Sequence, residues 1–256
     1  MFDEFLQSYG LFKKQGVTDP LLETLRLFNL ASKGMLKNMD LSFFKGKKID
    51  LDYLAQKRKE GMPLEYIVGE AAFMGGMFFC SPDTLIPTEE TKLLVNASLD
   101  FIKKRQKSES SQTIIDMGTG CGNIAISLAM NSSNTKILAS DVSPAAVKIA
   151  RKNVNKFNLQ ERVLLFCGDL FSPFQNSEYE RKVDIVVCNP PYIPTSSLSK
   201  LAPEIVNYEP HLALDAGPYG INLYRGVIAD SLFVLKNKGI LCFEIGGGRK
   251  NWLPDY

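Results

Sequence analysis

From about residue 90 onward, short β-branched and apolar runs alternate with helix-length segments, and that alternation leaves few folds open. The runs are TIID (113–116), KILASD (136–141), RVLLFC (162–167), DIVVCN (184–189) and GILCFEIG (239–246), with segments such as SPAAVKIARKNVNKF between them. Strands separated by helices require right-handed crossovers, which build a parallel, doubly wound α/β sheet. Ligands bind such sheets outside the carboxyl ends of the strands. The residues that close each run are therefore the informative ones.

The first run closes on Asp116-Met117-Gly118-Thr119-Gly120-Cys121-Gly122-Asn123 and enters the helical stretch IAISLAM. Glycines in a strand-to-helix turn let the backbone approach a ligand closely. The spacing is G-x-G-x-G rather than the G-x-G-x-x-G of dinucleotide sites, and no Lys-Ser/Thr pair follows to suggest a nucleotide P-loop. A tight βα turn needs glycine in any case. The second run ends in Asp141, whose carboxylate suits the two hydroxyls of a ribose; the competing role is a helix cap. A cap at Ser143 with Pro144 at the first helical position would leave Asp141 outside the helix. The third run leads into Gly168-Asp169-Leu170-Phe171, a carboxylate for an exocyclic amine beside apolar surface for a purine. Together these ends describe a nucleoside pocket, for a nicotinamide dinucleotide or for S-adenosylmethionine.

The fourth run stops on Asn189-Pro190-Pro191-Tyr192. The Asn189 side-chain oxygen and the Pro190 carbonyl are two acceptors that can converge on a planar NH2 group, and Pro190 brings no N–H of its own. Pro191 stiffens the turn and Tyr192 offers a flat face to a conjugated amide or a base. Such a grouping grips an amino nitrogen through its hydrogens and presents it to an electrophile, which favours S-adenosylmethionine.

Composition excludes several alternatives. Thirty basic and 28 acidic residues leave a net charge of +2, so no field of one sign advertises nucleic acid or membrane. Cys80, Cys121, Cys167, Cys188 and Cys242 form no C-x-x-C pair, and His211 is the single histidine, so metal, disulfide and Ser/His/Asp chemistry are not expected. The start MFDEFLQSYG lacks the basic flank of a signal peptide, and no apolar run reaches the ~20 residues of a membrane span. A reducing, cytoplasmic compartment is the expectation.

Upstream, Asp19 and Pro20 mark a helix start, with Leu21, Leu25 and Phe28 at helical spacing. The glycine- and proline-rich GGMFFCSPDTLIP (75–87) reads as a hairpin or linker, and KKRQKSESSQ (103–112) as a surface loop. The expected division is a helical domain over 1–75, a linker over 76–90, and a catalytic domain over 91–256.

With these motifs in place, the chain resembles the protein-(glutamine-N5) methyltransferases of peptide-chain release factors, the HemK/PrmC family. The resemblance runs through GMPLEYIVGEAAFMGGMFF, LIPTEET, DMGTGCGN, SDVSP, GDLF, NPPYIP, YEPHLALDAGPYGINLYR and FEIG. NPPY alone is shared with adenine-N6 DNA methyltransferases; the segments around Glu209-Pro210 and Asp215, and P-x-E-Y-I-x-G, are more particular to the glutamine enzymes. The resemblance implies a class I S-adenosylmethionine-dependent methyltransferase fold, a Rossmann-like sheet, behind a small helical substrate-docking domain. It implies cofactor binding by Asp116, Gly118, Thr119, Gly120, Cys121, Gly122, Asp141, Val142, Asp169, Leu170 and Asn189. It implies a catalytic role for Asn189, Pro190 and Tyr192, which with Pro191 would hold the glutamine of the release factor's Gly-Gly-Gln loop. A monomer without a metal is expected.

Two departures stand out. Thr88 and Lys92 occupy positions where the family usually has arginine and an acid. The chain also ends GGGRKNWLPDY where the family fold continues with a helix and two strands, so C-terminal strands are expected to be missing and GILCFEIG to lie at a sheet edge. Alternatives to release-factor methylation are glutamine methylation of another translation protein, adenine-N6 methylation of nucleic acid, or a catalytically impaired short form.

Overall fold

The computed structural model describes residues 2–17, 20, 23–24, 56–105, 111–176, 178–218 and 222–246. The chain divides into two compact units, Met1–Ala71 and Ala72–Tyr256. In the first, α1 (Phe2–Lys14) and the short α2 (Leu64–Val68) are helical. Pro63 opens α2, and Gly69 closes it in the left-handed conformation, its N–H bonded to the Glu65 carbonyl at 2.8 Å. Asp19, Leu21, Leu25 and Phe28 lie outside the described residues, as does GGRKNWLPDY beyond Gly246.

Strands β1 (Glu70–Phe73) and β2 (Gly76–Phe79) form a two-stranded hairpin. Its first strand precedes the glycine-rich stretch from which the sequence suggested a hairpin. The two-residue turn is Met74-Gly75, with φ of 46° and 81°, the double left-handed geometry that matches strand twist. EAAF carries no β-branched residue to announce a strand.

The second unit continues with α3 (Thr91–Arg105), β3 (Gln112–Met117), α4 (Asn123–Met130), β4 (Thr135–Asp141), α5 (Pro144–Lys156) and β5 (Val163–Cys167). A 3₁₀ turn (Ser172–Phe174) precedes β6 (Val183–Cys188). Then follow a second 3₁₀ turn (Thr195–Lys200), α6 (Pro203–Tyr208), α7 (His211–Leu214), α8 (Asn222–Val234) and β7 (Leu235–Phe243). The five strands β3 to β7 are all parallel, in the order β5-β4-β3-β6-β7. Winding starts at β3, proceeds outward to β5, and then returns to the other side of β3, which places the switch point between β3 and β6.

Side chains alternate across the sheet with the period of two that a strand dictates. Ile114, Ile137, Ala139, Ile185 and Val187 pack with Leu94 and Val95 of α3, Ile124 and Leu128 of α4, and Val154 of α5. Their neighbours Ile115, Leu138, Val186 and Cys188 pack on the opposite side with Phe171, Phe174, and Val227 and Val234 of α8. Burial on both sides explains why the strands read as continuous apolar runs.

Polar side chains tie the amino ends of the strands. The Asp184 carboxylate accepts from the Thr113 N–H at 2.9 Å and from Lys236 Nζ at 2.7 Å. Arg162 donates to the carbonyls of Ala129 (2.8 Å), Ser132 and Thr135 (3.3 Å), holding the end of α4 and the start of β4.

Two expectations need correction. Lys103–Arg105 close α3 and Gln112 opens β3, buried, with Nε2 on the Ile102 carbonyl at 3.0 Å; KKRQKSESSQ is thus not one surface loop, because its ends are held by the elements on either side. β7 starts at Leu235, four residues before GILCFEIG, directly after α8. Its pairing jumps from Val183↔Leu235 to Ile185↔Ile240, and the excess chain bulges through Lys238 at a φ of 65°. The polar KNK stretch hides this start. Among the described residues β7 is an edge strand, and no helix is long and apolar enough to cross a membrane.

Candidate active site

A cleft of about 600 Å³ opens at the carboxyl ends of β3, β4 and β6, over the switch point. Of the residues singled out in the sequence, Gly118, Thr119, Gly120, Cys121, Asp141, Val142, Asp169, Leu170, Asn189, Pro190 and Pro191 line it. Asp116, Gly122 and Tyr192 do not.

The turn after β3 is held from both ends. Gly118 and Gly120 adopt φ of 70° and 56°, and a Cβ on either would project into open space, so the turn leaves an uncluttered cradle. Asp141 accepts from the Gly120 N–H and the Ser143 N–H, each at 2.9 Å, through different oxygens. Each oxygen keeps a lone pair for a ligand hydroxyl. The cap of α5 is Ser143, whose Oγ accepts from the Ala146 N–H at 3.2 Å with Pro144 following, so Asp141 stands outside the helix. Gly122 faces inward: a Cβ there would meet Ala150 of α5 at 3.4 Å.

Asn153 of α5, fully buried, is an anchor that no motif announced. Its Oδ1 accepts from the Phe79 N–H at 2.7 Å, and its Nδ2 donates to the carbonyls of Phe79 (2.9 Å) and Cys121 (2.7 Å). One amide thereby joins the hairpin to the turn after β3. The Cys121 thiol is buried and pushed up to about 12, so it packs as a neutral group.

Asp116 lies fully buried beneath the turn. One oxygen accepts from Thr119 Oγ1 at 2.6 Å and from the Ala125 N–H at 3.0 Å, while Oδ1 has no hydrogen-bond partner. Burial pushes this carboxyl up to about 7, against the two hydrogen bonds and with help from the Asp141 charge. The native state keeps a proton that the unfolded chain releases above 3.8, so the contribution of Asp116 to stability is present below 3.8 and is lost as pH rises to about 7. Asp116→Asn removes the titration. Denaturant melts across this window are expected to show a flatter pH dependence for the variant than for the parent; parallel curves would contradict the assignment.

On the other side of the switch point, β6 delivers Asn189. Its Nδ2 donates to Thr91 Oγ1 at 3.2 Å, and Thr91 Oγ1 donates to Glu244 Oε2 at 2.7 Å. Burial raises the Glu244 carboxyl, an effect that hydrogen bonds from Thr91 and Asn189 offset and the nearby charge of Glu90 reinforces. The segment after Asn189 is clamped to 214–217: the Ile193 N–H bonds the Leu214 carbonyl at 3.2 Å, the Ala216 N–H bonds the Ile193 carbonyl at 2.9 Å, and Thr195 Oγ1 donates to Asp215 at 2.7 Å. This clamp gives a physical reason for the motif around Asp215. Tyr192 is half-buried outside the cleft. A Cβ on Gly246 would come within 2.7 Å of its ring, so a side chain there would have to displace the ring. Burial raises its phenol, with Glu244, Glu90 and Glu209 adding to the shift.

The remaining walls come from Pro82 to Pro87 and Thr91, which include part of LIPTEET, on one side, and from Pro210, Leu212 and Ala213, within YEPHLALDAGPYGINLYR, on the other. Lys92 turns to the surface, where Nζ pairs with Glu89 at 2.6 Å, and Thr88 Oγ1 lies 3.0 Å from Thr91 Oγ1.

A family model described as the methyltransferase small domain matches residues 91–212. Among solved structures, the hMettl16 catalytic domain in complex with a 3′UTR hairpin aligns with a TM-score of 0.50 at 19% identity, over 82% of this chain and 81% of that one. The switch-point cleft and these matches define a class I S-adenosylmethionine-dependent methyltransferase, and the open glycine cradle with a carboxylate beyond it suits that cofactor. Among curated relatives, the release factor glutamine methyltransferase of Moorella thermoacetica is 40% identical over 78% of this chain and 67% of its own length. That of Bacillus anthracis is 34% identical over 96% of this chain and 83% of its own length. The chain belongs to the release factor glutamine methyltransferase family.

Proposed function

We propose that this enzyme transfers the methyl group of S-adenosylmethionine to the side-chain amide nitrogen, N5, of the glutamine in the Gly-Gly-Gln loop of peptide-chain release factors. The observation that carries this reading is the polarity of Asn189. Its amide nitrogen donates to Thr91 at 3.2 Å, which turns Oδ1 away from Thr91 as a free acceptor, and Asn189 and Pro190 both line the cleft. Two acceptors side by side suit an NH2 donor held at right angles to its own lone pair. The relatives' names supply the protein substrate, and their extent along the chain supports carrying it over.

Position along the cleft supports the following roles. The turn Gly118 to Cys121 takes the methionine portion, Asp141 the ribose hydroxyls, and Val142, Asp169 and Leu170 the adenine. Bound there, the cofactor supplies an electrophilic methyl on sulfonium. Methyl transfer from that sulfonium would leave the thioether behind, and the methylated nitrogen would give one of its two protons to water, since an N-alkylated, positively charged amide is a strong acid. A base is not required. An amide is a poor nucleophile, so the contribution of the chain is orientation, worth up to ~7–11 kcal/mol in intramolecular analogies. The bonds to Asn189 Oδ1 and the Pro190 carbonyl strengthen as charge develops on nitrogen, which lowers the barrier rather than merely tightening binding. The N-terminal residues 1–75 act as the docking domain, and translation termination places the reaction in the cytoplasm.

The test is intact-mass analysis of a purified release factor after incubation with the enzyme and S-adenosylmethionine, followed by peptide mapping. One added methyl on the Gly-Gly-Gln glutamine is the expected result. A methyl on another residue, or none despite bound cofactor, would refute the substrate assignment.

A further inference from the structure

We infer that Thr91 and Glu244 are positioning residues that determine which end of the Asn189 amide is presented to the substrate. The inference rests on the catalytic reading of Asn189 given above. An asparagine amide is nearly symmetric in shape, and rotating it by half a turn exchanges an acceptor for a donor. Presented the wrong way, Asn189 would place its own NH2 against the NH2 of the substrate. Something must therefore fix its orientation.

Thr91 Oγ1 has a single proton, and Glu244 Oε2 takes it at 2.7 Å. The hydroxyl can then only accept, so the group that Asn189 turns toward it at 3.2 Å must be Nδ2. The same reasoning makes Thr88 the donor in its 3.0 Å contact with Thr91. Glu244 is itself fixed, with its N–H on the Cys188 carbonyl at 3.1 Å and its carbonyl accepting from Tyr224 Oη at 3.0 Å. Thr91 is 2% exposed, so water does not compete for its hydroxyl. The start of α3, the end of β6 and the end of β7 thus meet in one directional chain, Asn189 to Thr91 to Glu244. Without the carboxylate, Thr91 could donate to Asn189 Oδ1 and the amide could turn over.

The test compares kcat and KM on a purified release factor for the parent, Thr91→Val, Thr91→Ser, Glu244→Gln, Asn189→Ala and the double variant Thr91→Val with Asn189→Ala. Thr91→Val keeps the shape and removes the hydroxyl; kcat is expected to fall about 10–100-fold, by analogy with groups that orient metal ligands, while KM for S-adenosylmethionine stays within about twofold. Thr91→Ser restores kcat to within about threefold of the parent, because the hydroxyl returns. The double variant is expected to be no worse than Asn189→Ala alone, since Thr91 acts through that residue. Glu244→Gln, which alters little volume but can donate as well as accept, is expected to lower kcat about tenfold and serves if Thr91→Val does not fold. Parent kcat in Thr91→Val or in Glu244→Gln overturns the inference, as does a double variant that loses the full product of the two single effects. If Asn189→Ala itself keeps parent kcat, the reading of Asn189 fails and this inference with it. A crippled Asn189→Ala beside an active Thr91→Val overturns the positioning role alone.

Discussion

Asn189→Ala is expected to lower turnover by about 10²–10³, the scale of losing one preorganised hydrogen bond to charge that develops in the transition state. The substitution removes an acceptor that is nearly idle while the substrate nitrogen is neutral and becomes valuable as that nitrogen turns positive. The loss should therefore fall on kcat more than on KM for the release factor. Single-turnover kinetics with the purified release factor would check this. An equal rise in KM with kcat preserved would mean that Asn189 only holds the substrate and does not favour the transition state. Asn189 ends a strand that is buried throughout, so the backbone that carries it should survive the truncation.

Asn153→Ala is expected to have the largest effect on stability. The side chain is completely buried and satisfies three backbone groups, the Phe79 N–H, the Phe79 carbonyl and the Cys121 carbonyl. Leaving buried polar groups unpaired costs about 1–3 kcal/mol each, so a loss of roughly 3 kcal/mol or more is expected. Against a total stability of ~5–15 kcal/mol that is a large share. Because one of the three partners belongs to the turn after β3, affinity for S-adenosylmethionine should fall as well. Denaturant unfolding and calorimetric titration of the cofactor would measure the two effects; a loss under ~1 kcal/mol would show that water replaces the amide.

The sheet and its switch point were legible in the sequence because strands buried on both sides must be apolar from end to end, so that a polar residue marks where each one stops. Asp141 and Asn189 could be placed at the carboxyl ends of their strands, where the cleft lies, for that reason alone. Asp116 was harder. It ends the first apolar run as Asp141 ends the second, but nothing in the run says that one carboxylate is fully buried beneath the turn and the other borders the cleft. Gly122 likewise sits among the glycines of the turn, yet it serves helix packing.

The contact between Thr91 and Glu244 was out of reach for a different cause, although LIPTEET and FEIG contain the two residues. They are separated by 153 positions and meet only because β7 lies next to β6, a neighbour relation that the register sets. Asn153 shows the same limit. It occupies the last turn of an amphipathic helix, where an asparagine reads as unremarkable surface until the hairpin is seen to pass over it. The start of β7 was missed because the chain moves from helix to strand without a turn and places its polar residues in a bulge.

The ties at the amino ends of the strands, Asp184 with Thr113 and Lys236, and Arg162 with the end of α4, lie at the opposite edge of the sheet from the cleft. This polarity separates two kinds of inherited change. Substitutions at the amino edge bear on how long the folded molecule survives without touching the cleft, while those at the carboxyl edge, Asn153 and Asp116 among them, bear on survival and on activity together. A lineage of such enzymes can therefore drift in thermal tolerance at the amino edge without losing its substrate.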